Sequence, residues 1–324
     1  MGVFVSSSDD LIKGMLQKDP WSLGRLARII DDGLDGKDEV LARLHTMGGH
    51  SRVVGITGPP GAGKSTLISG LIREGRKQDL TIAVLAVDPT SPYSGGAVLG
   101  DRVRMQEHGT DPGVYIRSLA TRGHMGGLSR SVQYLVTLLD AAGFDLIILE
   151  TVGVGQEEVE VKDLAQTIAF VTVPGLGDGI QAMKAGVLEI AHLFIVNKAD
   201  QPMVDSTVKD LQTMLSMSED GNAWVPPVLT SVATEGTGVA GVMEAMGQHF
   251  DHLQNSGGLE EWRRSVAAST VTEAVRGVVE ESIKDLLNGE KSEFEDDIER
   301  VSRKDEDPLS VARRWLAKLE FGKD

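Results

Sequence analysis

The sequence predicts an α/β fold built on a doubly wound, mostly parallel β-sheet. Seven short apolar runs alternate with helical patterns: Val53–Thr57, Ile82–Val87, Val114–Ile116, Leu146–Leu149, Ile168–Val173, Leu193–Val196 and Val228–Ser231. The runs are almost continuously apolar, as strands are when both faces of a parallel sheet are covered. Ligands of such sheets bind at the carboxyl ends of the strands, so the residues that follow each run are the candidate site residues.

The first run leads into Gly58-Pro59-Pro60-Gly61-Ala62-Gly63-Lys64-Ser65, and a helical pattern follows. The spacing G-x-x-x-x-G-K-[ST] between a strand and a helix is that of the phosphate-binding loop of P-loop NTPases. Glycines let successive N–H groups face phosphate oxygens, and the helix N-terminus adds positive potential. We expect Lys64 to reach the β- and γ-phosphates and Ser65 to ligate Mg²⁺. The nucleotide-binding residues predicted here are Gly58, Pro60, Gly61, Ala62, Gly63, Lys64, Ser65 and Thr66.

A second motif, Asn197-Lys198-Ala199-Asp200, follows the sixth apolar run and suits guanine. The Asp200 carboxylate can accept hydrogen bonds from N1–H and the exocyclic amine of guanine, which adenine does not offer. The stem of Lys198 can lie against the purine plane. The pattern is weak alone but specific after a late strand of a phosphate-loop protein. The next run ends in Ser231-Val232-Ala233, whose backbone N–H groups we expect at guanine O6.

Acidic residues end two further runs, Glu150 after Leu149 and Asp88 after Val87. A carboxylate at a buried strand end beside a phosphate loop can hold Mg²⁺ or orient an attacking water. Gly153 would place an N–H group near the γ-phosphate. Asp101 is a further candidate, but its context also suits a helix cap. No glutamine follows Gly153, so we expect slow unaided hydrolysis.

Composition restricts the classes of partner. The 324 residues include 32 basic and 48 acidic side chains, a formal net charge of −16, which disfavours nucleic acid and anionic lipid. There is no cysteine, and the seven histidines show no metal-binding spacing. The first ten residues lack a secretory pattern, and no apolar run approaches the roughly 20 residues of a membrane span. We expect a soluble, cytoplasmic protein.

Helical patterns flank the predicted nucleotide domain. We divide the chain into an N-terminal helical extension (1–48), a nucleotide-binding domain (49–255) and a C-terminal helical segment (256–324). In the last segment, apolar residues recur along one long helix from Trp262 to Leu286, Asn288-Gly289 interrupts it, and a final helix follows Pro308. The long apolar stripe either packs on the chain's own domain or serves as a dimerisation arm, and the pattern leaves both open.

Taken together, the motifs resemble the MeaB/MMAA/ArgK-type G proteins, the GTPase chaperones of adenosylcobalamin-dependent acyl-CoA mutases. The resemblance runs from about residue 10 to the C-terminus. Besides the phosphate loop and Asn197–Asp200, it rests on Asp88–Ser91, Gly95-Gly96 with Leu99–Arg102, Thr121–Gly127, Glu150–Gln156 and Pro174–Asp178. It implies a SIMIBI-class G domain with a C-terminal dimerisation arm, and it implies that Asp88, Asp101 and Glu150 surround Mg²⁺.

The resemblance also implies a function: a GTPase that cycles between GTP and GDP, gates cofactor loading and protects a mutase, with methylmalonyl-CoA mutase as the leading partner. It implies a homodimer. Lys184 matches an additional switch segment of the family; its own context shows only a lysine near a Gly-rich loop, and we expect it to aid catalysis if it reaches the phosphates. The alternatives are a transport-associated ATPase or kinase, a chaperone of a different cobalamin-dependent mutase, and a nickel-insertion GTPase, which the lack of cysteine disfavours.

Overall fold

The computed structural model describes residues 7–89, 106–121, 130–151, 161–175, 189–217 and 224–319. Within these ranges seven strands form one sheet in the order β3-β2-β4-β1-β5-β6-β7. Every neighbouring pair is parallel. The strands are β1 (Arg52–Thr57), β2 (Ile82–Pro89), β3 (Val114–Thr121), β4 (Leu146–Glu150), β5 (Thr167–Thr172), β6 (Leu193–Asn197) and β7 (Val228–Ser231).

All seven predicted strands are confirmed; β2 runs two residues further than predicted, to Pro89, and β3 runs five residues further. It continues from Ile116 to Thr121, through Arg117 and Ser118. The strand lies at an edge of the sheet with β2 as its neighbour, and its residues from 114 to 118 are only half-buried. Polar side chains are tolerated on such an edge strand, so its apolar run ends before the strand does.

Ten α-helices accompany the sheet in the described ranges. Three precede it, four more connect or follow its strands, and three lie in the C-terminal segment. They are α1 (Ser8–Leu16), α2 (Pro20–Asp31), α3 (Lys37–His45), α4 (Lys64–Arg76), α5 (Arg130–Ala141), α6 (Val204–Met217), α7 (Val239–Ser256), α8 (Gly258–Gly289), α9 (Lys291–Ser302) and α10 (Pro308–Leu316). No described helix has both the length and the apolar composition needed to cross a bilayer.

The N-terminal helices complete one face of the sheet. Asp19 caps α2 by accepting hydrogen bonds from the Ser22 N–H and hydroxyl at 2.8 and 2.7 Å, and Pro20 occupies the first turn. The buried side chains of α1 to α3 share one apolar core with α5 and with strands β2 and β4. Leu16, the last residue of α1, is half exposed at 50%. Helices α1 to α3 therefore form part of the layer that covers this face.

The opposite face carries the helix that follows the phosphate loop. Helix α4 packs there with α7 over the apolar side chains of β1, β2, β4, β5 and β6. A smaller cluster around Phe194 joins α6 to the β6 end of the sheet. Strand β1 lies between β4 and β5. Strands β2, β3 and β4 lie on one side of β1, and β5, β6 and β7 lie on the other. The carboxyl end of β1 is therefore the switch point of the sheet.

The chain divides into two compact units, Met1–Arg263 and Arg264–Asp324. In the second unit, the wholly buried carboxylate of Asp297 accepts hydrogen bonds from Arg314 at 2.9 Å and from the Trp315 indole at 2.8 Å. A further bond comes from Arg300. These donors, Arg300 foremost, hold the pKa of Asp297 well below its ordinary value. An ion pair between the buried Asp297 and the partly exposed Arg314 thus joins α9 to α10.

The amino edge of the sheet holds a buried histidine stack. The rings of His192 and His249 stack at 4.2 Å, and Trp224 meets His249 edge-on at 4.8 Å. The Ile168 N–H donates to His192 Nδ1 at 3.0 Å, and the hydroxyl of Thr167 lies 2.8 Å from His249 Nδ1. Burial lowers the pKa of His192 to about 4 and that of His249 to about 3, with neighbouring histidines lowering the latter further.

Acidification should therefore destabilise the fold before it affects the carboxylates. The unfolded histidines titrate near pH 6.5, so between about 6.5 and 4 the unfolded chain binds protons that the folded chain does not. In this range the free energy of unfolding should decrease as the pH is lowered, by up to about 1.4 kcal/mol per pH unit for each of the two histidines. The free energy of unfolding of His249→Phe, measured by denaturant titration, should change less steeply with pH between 7.5 and 5.5 than that of the unsubstituted protein. The exposed His45→Gln serves as control, and equal slopes in all three would contradict the assignment.

Candidate nucleotide-binding site

The phosphate loop lies between β1 and α4, and its backbone requires glycine. Gly58, Gly61 and Gly63 have φ values of 139°, 78° and 89°. A Cβ atom on Gly58 would lie 2.0 Å from the Val171 carbonyl oxygen, and one on Gly63 would lie 2.4 Å from Asn197 Nδ2. Both contacts are far below van der Waals separation. The loop thus approaches β5 and β6 too closely for any side chain at these two positions.

Lys64 begins α4, and its buried ammonium group bends back over the loop. The Nζ atom donates to the carbonyl of Gly58 at 2.7 Å and to that of Pro59 at 3.3 Å. The positive charge of Lys64 therefore lies against the loop backbone, at the N-terminus of α4, a helix of 13 residues. Helix N-termini and inward N–H groups favour anions at this position. The contact between Lys64 and phosphate stays a prediction.

Ser65 and Glu150 meet at the predicted Mg²⁺ position. The Ser65 hydroxyl donates to Glu150 Oε1 at 2.7 Å, and each residue is 5% exposed. A hydroxyl and a carboxylate beside a phosphate loop are hard oxygen ligands of the kind that Mg²⁺ takes. The pair therefore fits the predicted ion. Asp88 lies near the end of β2, the strand next to β4, so its backbone reaches the same edge of the sheet.

Asn197 connects the guanine motif to the phosphate loop. Its Nδ2 donates to the Ala62 carbonyl at 2.8 Å. Its Oδ1 accepts from the Ser231 hydroxyl and from the Ala233 N–H, both at 3.1 Å. Asn197 is 2% exposed, so these three bonds satisfy most of its amide. Its position fixes the ends of β6 and β7 against the phosphate loop.

The residues after Asn197 turn outward. Lys198 has a φ of 57°, in the left-handed region that few non-glycine residues adopt, and the Ala199 N–H donates to the Ser231 carbonyl at 3.0 Å. Asp200 is exposed to solvent just beyond this turn. The carboxylate predicted to recognise guanine is therefore accessible beside the loop.

The third segment of the base site is tied within the protein. The Val232 N–H donates to the Thr237 carbonyl at 3.0 Å, and the Ala233 N–H donates to Asn197. To donate to guanine O6 as predicted, the two N–H groups must share their hydrogens with the Thr237 and Asn197 oxygens or break these internal bonds. Of the other predicted site residues, Asp101, Gly153 and Lys184 lie outside the described residues.

A hydrogen-bonded cluster one helical turn beyond Ser65 was not predicted. The Ser69 hydroxyl lies 2.6 Å from Glu107 Oε1 and 2.9 Å from His108 Nε2. The bond from Ser69 lowers the pKa of Glu107, and burial lowers that of His108. Nothing in the sequence brings Glu107 and His108 to α4, because they lie in a short segment without periodicity. In the described ranges, no three His, Asp or Glu side chains cluster in a way that could hold a metal ion.

Comparisons with known proteins agree with this geometry. A family model described as "Methylmalonyl Co-A mutase-associated GTPase MeaB" matches residues 31–288. A putative GTPase of Pyrococcus abyssi is 44% identical over 317 residues, which are 97% of each chain. The mitochondrial methylmalonic aciduria type A homolog of Caenorhabditis elegans is 35% identical over 234 residues, 70% of this chain and 59% of that relative.

Among solved structures, one described as a LAO/AO transport system kinase matches with a TM-score of 0.69 at 24% identity, over 98% of this chain and 99% of that one. At this identity the likeness concerns the fold alone. It confirms the predicted P-loop architecture with a parallel sheet. The match of the family model over most of the chain, together with the relatives named GTPases, confirms the resemblance seen in the motifs. The chain belongs to the MeaB family of methylmalonyl-CoA mutase-associated GTPases.

Proposed function

We propose that this GTPase gates cofactor loading into an adenosylcobalamin-dependent acyl-CoA mutase, and protects that mutase, with methylmalonyl-CoA mutase as its partner. The observation that carries the nucleotide part is the junction at Asn197, which ties the guanine motif to the phosphate loop through the Ala62 carbonyl at 2.8 Å. The partner is proposed from the description of the family. GTP and GDP are the ligands that distinguish the two states.

The proposed chemistry assigns a task to each side chain. Lys64 binds the β- and γ-phosphates, and Ser65 with Glu150 would hold Mg²⁺, which supplies charge neutralisation on the phosphates when bound. Asp88 and Asp101 are proposed to complete this side of the site. Glu150 can also orient the attacking water, and Gly153 follows it closely enough in sequence to report on the γ-phosphate. Order in the segments around the γ-phosphate would then be the signal that a partner reads.

Hydrolysis is proposed to be slow without a partner. No glutamine follows Gly153, and the side chain there is that of Val154. Lys184 is proposed to provide the missing charge stabilisation when the mutase binds. We propose a cytoplasmic location, and we propose no nucleic-acid or membrane partner, since a formal net charge of −16 disfavours contact with nucleic acid and anionic lipid.

A homodimer is proposed to form through α8. Val271, Val275 and Val278 lie on one side of this helix and are 63%, 59% and 61% exposed. Residues at these intervals of four and three form an apolar stripe along a helix. A second copy that presents the same stripe would bury it by an isologous contact. The C-terminal helices also line an open apolar groove of about 580 Å³, formed by Leu287, Phe294, Ile298, Val311 and Leu316 among others.

The first prediction concerns partner and nucleotide together. GTP hydrolysis by the purified protein should be slow, below about 1 s⁻¹, and should rise when methylmalonyl-CoA mutase is added, because the partner completes the charge stabilisation. ATP should not be hydrolysed, since adenine does not offer the Asp200 carboxylate the pair of hydrogen-bond donors that guanine offers. Phosphate release with each nucleotide, with and without mutase, measures this.

The outcomes separate the alternatives. If another cobalamin-dependent mutase stimulates hydrolysis and methylmalonyl-CoA mutase does not, the proposed partner becomes that other mutase. A preference for ATP would overturn the base assignment and favour a transport-associated ATPase or kinase. Lys184→Ala should keep unaided hydrolysis and lose the stimulation; stimulation that persists in this variant removes Lys184 from the mechanism.

The second prediction concerns the base. Asp200→Asn should weaken GTP binding by about 30-fold or more, because a charge-assisted bond to the guanine edge is lost. The new amide can donate to the C2 carbonyl of xanthine, so xanthosine triphosphate should bind better than it does to the unsubstituted protein. Competition against a fluorescent GDP analogue measures both affinities. Asp205→Asn, at an exposed position in the first turn of α6, is the control; equal GTP affinities in the two variants would refute the role of Asp200.

The third prediction concerns α8. Val275→Glu should convert the dimer to a monomer, since it places a charge in the middle of the proposed apolar contact. Light scattering during gel filtration gives the mass directly. Glu280→Lys changes a charge on the opposite side of the same helix, at about 100° per residue, and should leave the mass unchanged. A dimer that survives Val275→Glu, or a monomer before substitution, would exclude this interface.

A further inference from the structure

A cleft of about 460 Å³ opens at the amino edge of the sheet, the edge opposite the phosphate loop. We call it the amino-edge cleft. The first residues of β1 and β4 form its floor, while α7 and the turn between α4 and β2 form its walls. Its volume lies within the range of about 300 to 1,000 Å³ that is usual for small-molecule sites. Every described residue of its lining lies in the first compact unit and outside the predicted nucleotide site.

The inner part of the amino-edge cleft is apolar and adaptable. Val54 and Leu146 are buried at its floor, and Met243 and Met246 line the wall that α7 contributes. A methionine side chain has three rotatable bonds and a polarisable sulfur, so it can fill irregular gaps beside many apolar shapes. This part of the cleft therefore suits the apolar body of a ligand without selecting one outline.

Arg52, the first residue of β1, supplies a cation at one end of the cleft. Its guanidinium carbon lies 4.7 Å from the centroid of the Phe250 ring. Gly247 presents no side chain toward it, and a Cβ atom there would lie 3.8 Å from Nη1 of Arg52. Stacking of this kind covers one face of the guanidinium and leaves its in-plane N–H groups for other acceptors. Among the described residues, no carboxylate lies within ion-pair distance of Arg52.

An acidic side chain lies at the other end of the cleft. The Asp145 carbonyl accepts from the Arg52 N–H at 3.0 Å, but the Asp145 side chain turns toward β2. Its carboxylate accepts from the N–H and the hydroxyl of Thr81, both at 2.7 Å. Because β4 separates β2 from β1, this carboxylate lies roughly 7 to 10 Å from the backbone of β1. The cleft is therefore positive at Arg52 and negative at its far end.

We propose that the amino-edge cleft binds a small organic monocarboxylate with an apolar body. Arg52 donates two parallel N–H bonds to the carboxylate, a geometry that the planar guanidinium fork matches. The apolar body lies on Met243 and Met246, where an inorganic anion has nothing to contact. Asp145 repels a second negative charge, so a dicarboxylate long enough to reach it is disfavoured. The site is separate from that of the nucleotide, and the inference is independent of the proposed function.

The experiment follows isotope-labelled methionine methyl groups by NMR, with excess GDP and Mg²⁺ present so that the ligand cannot occupy the phosphate loop. Met243→Leu and Met246→Leu assign the two signals. Hexanoate should shift both signals saturably. Hexanamide, its neutral counterpart, should bind about tenfold more weakly or worse, because hydrogen bonds to a charged group are lost. Octanedioate should also bind more weakly than hexanoate, and inorganic phosphate should leave both signals in place.

Substitutions of Arg52 test the contact with the carboxylate. Arg52→Gln should weaken hexanoate binding by about tenfold or more, because the charged donor pair is lost. Arg52→Lys keeps the charge without the planar fork, so its affinity should lie between those of Arg52→Gln and the unsubstituted protein. Arg25→Gln removes the same charge from an exposed position of α2 and is the matched control, with an unchanged affinity expected.

Four results would overturn the inference. They are the absence of a saturable shift of the Met243 and Met246 signals with hexanoate, equal affinities for hexanoate and hexanamide, an unchanged affinity in Arg52→Gln, and an equal loss in Arg25→Gln. If Arg52→Gln does not fold, Arg52→Lys and the comparison of hexanoate with hexanamide carry the test. A protein that binds no GDP would refute the proposed function but not this inference, because the two methionine signals report on the cleft alone.

Discussion

The geometry of the nucleotide site depends on one buried amide, that of Asn197. Its three hydrogen bonds reach the phosphate loop through Ala62 and the end of β7 through Ser231 and Ala233. Gly63 must lack a side chain because this amide lies where its Cβ would be. The distance between the phosphate-binding and base-binding parts is therefore set by a contact inside the protein. In the proposed function, a nucleotide would find both predicted parts already in register, which lowers the ordering cost of binding.

The parallel sheet separates the two kinds of polar chemistry in this protein. At its carboxyl edge, the strand ends bring Lys64, Ser65 and Glu150 together, with charged groups held beside a helix N-terminus. At its amino edge, His192 and His249 are buried and neutral, and they contribute packing and hydrogen bonds. Their titration therefore acts on folding stability at a distance from the nucleotide, because the length of the strands separates the two edges.

Most of the fold was predictable because its strands are buried on both faces. Continuous apolar runs mark such strands directly, and the length of the edge strand β3, with Arg117 and Ser118 in it, was underestimated most. The phosphate loop and the guanine motif were found because each requires fixed residue types at fixed spacing. Glu107 and His108 were not found, since their role arises from a contact with Ser69 that only the tertiary structure creates. The stack of His192 and His249 was not predicted from the sequence for the same reason.

The shared core of the N-terminal helices has a consequence for how this domain can be combined or shortened. Leu26 and Leu44 are wholly buried against the same face of the sheet as Leu149. Helices α1 to α3 are therefore an outer layer of the nucleotide domain, and a chain trimmed to the segment from residue 49 onward would present an open apolar face. Any natural or artificial fusion must carry these helices along or supply another surface in their place, because a parallel sheet is stable only when both faces are covered.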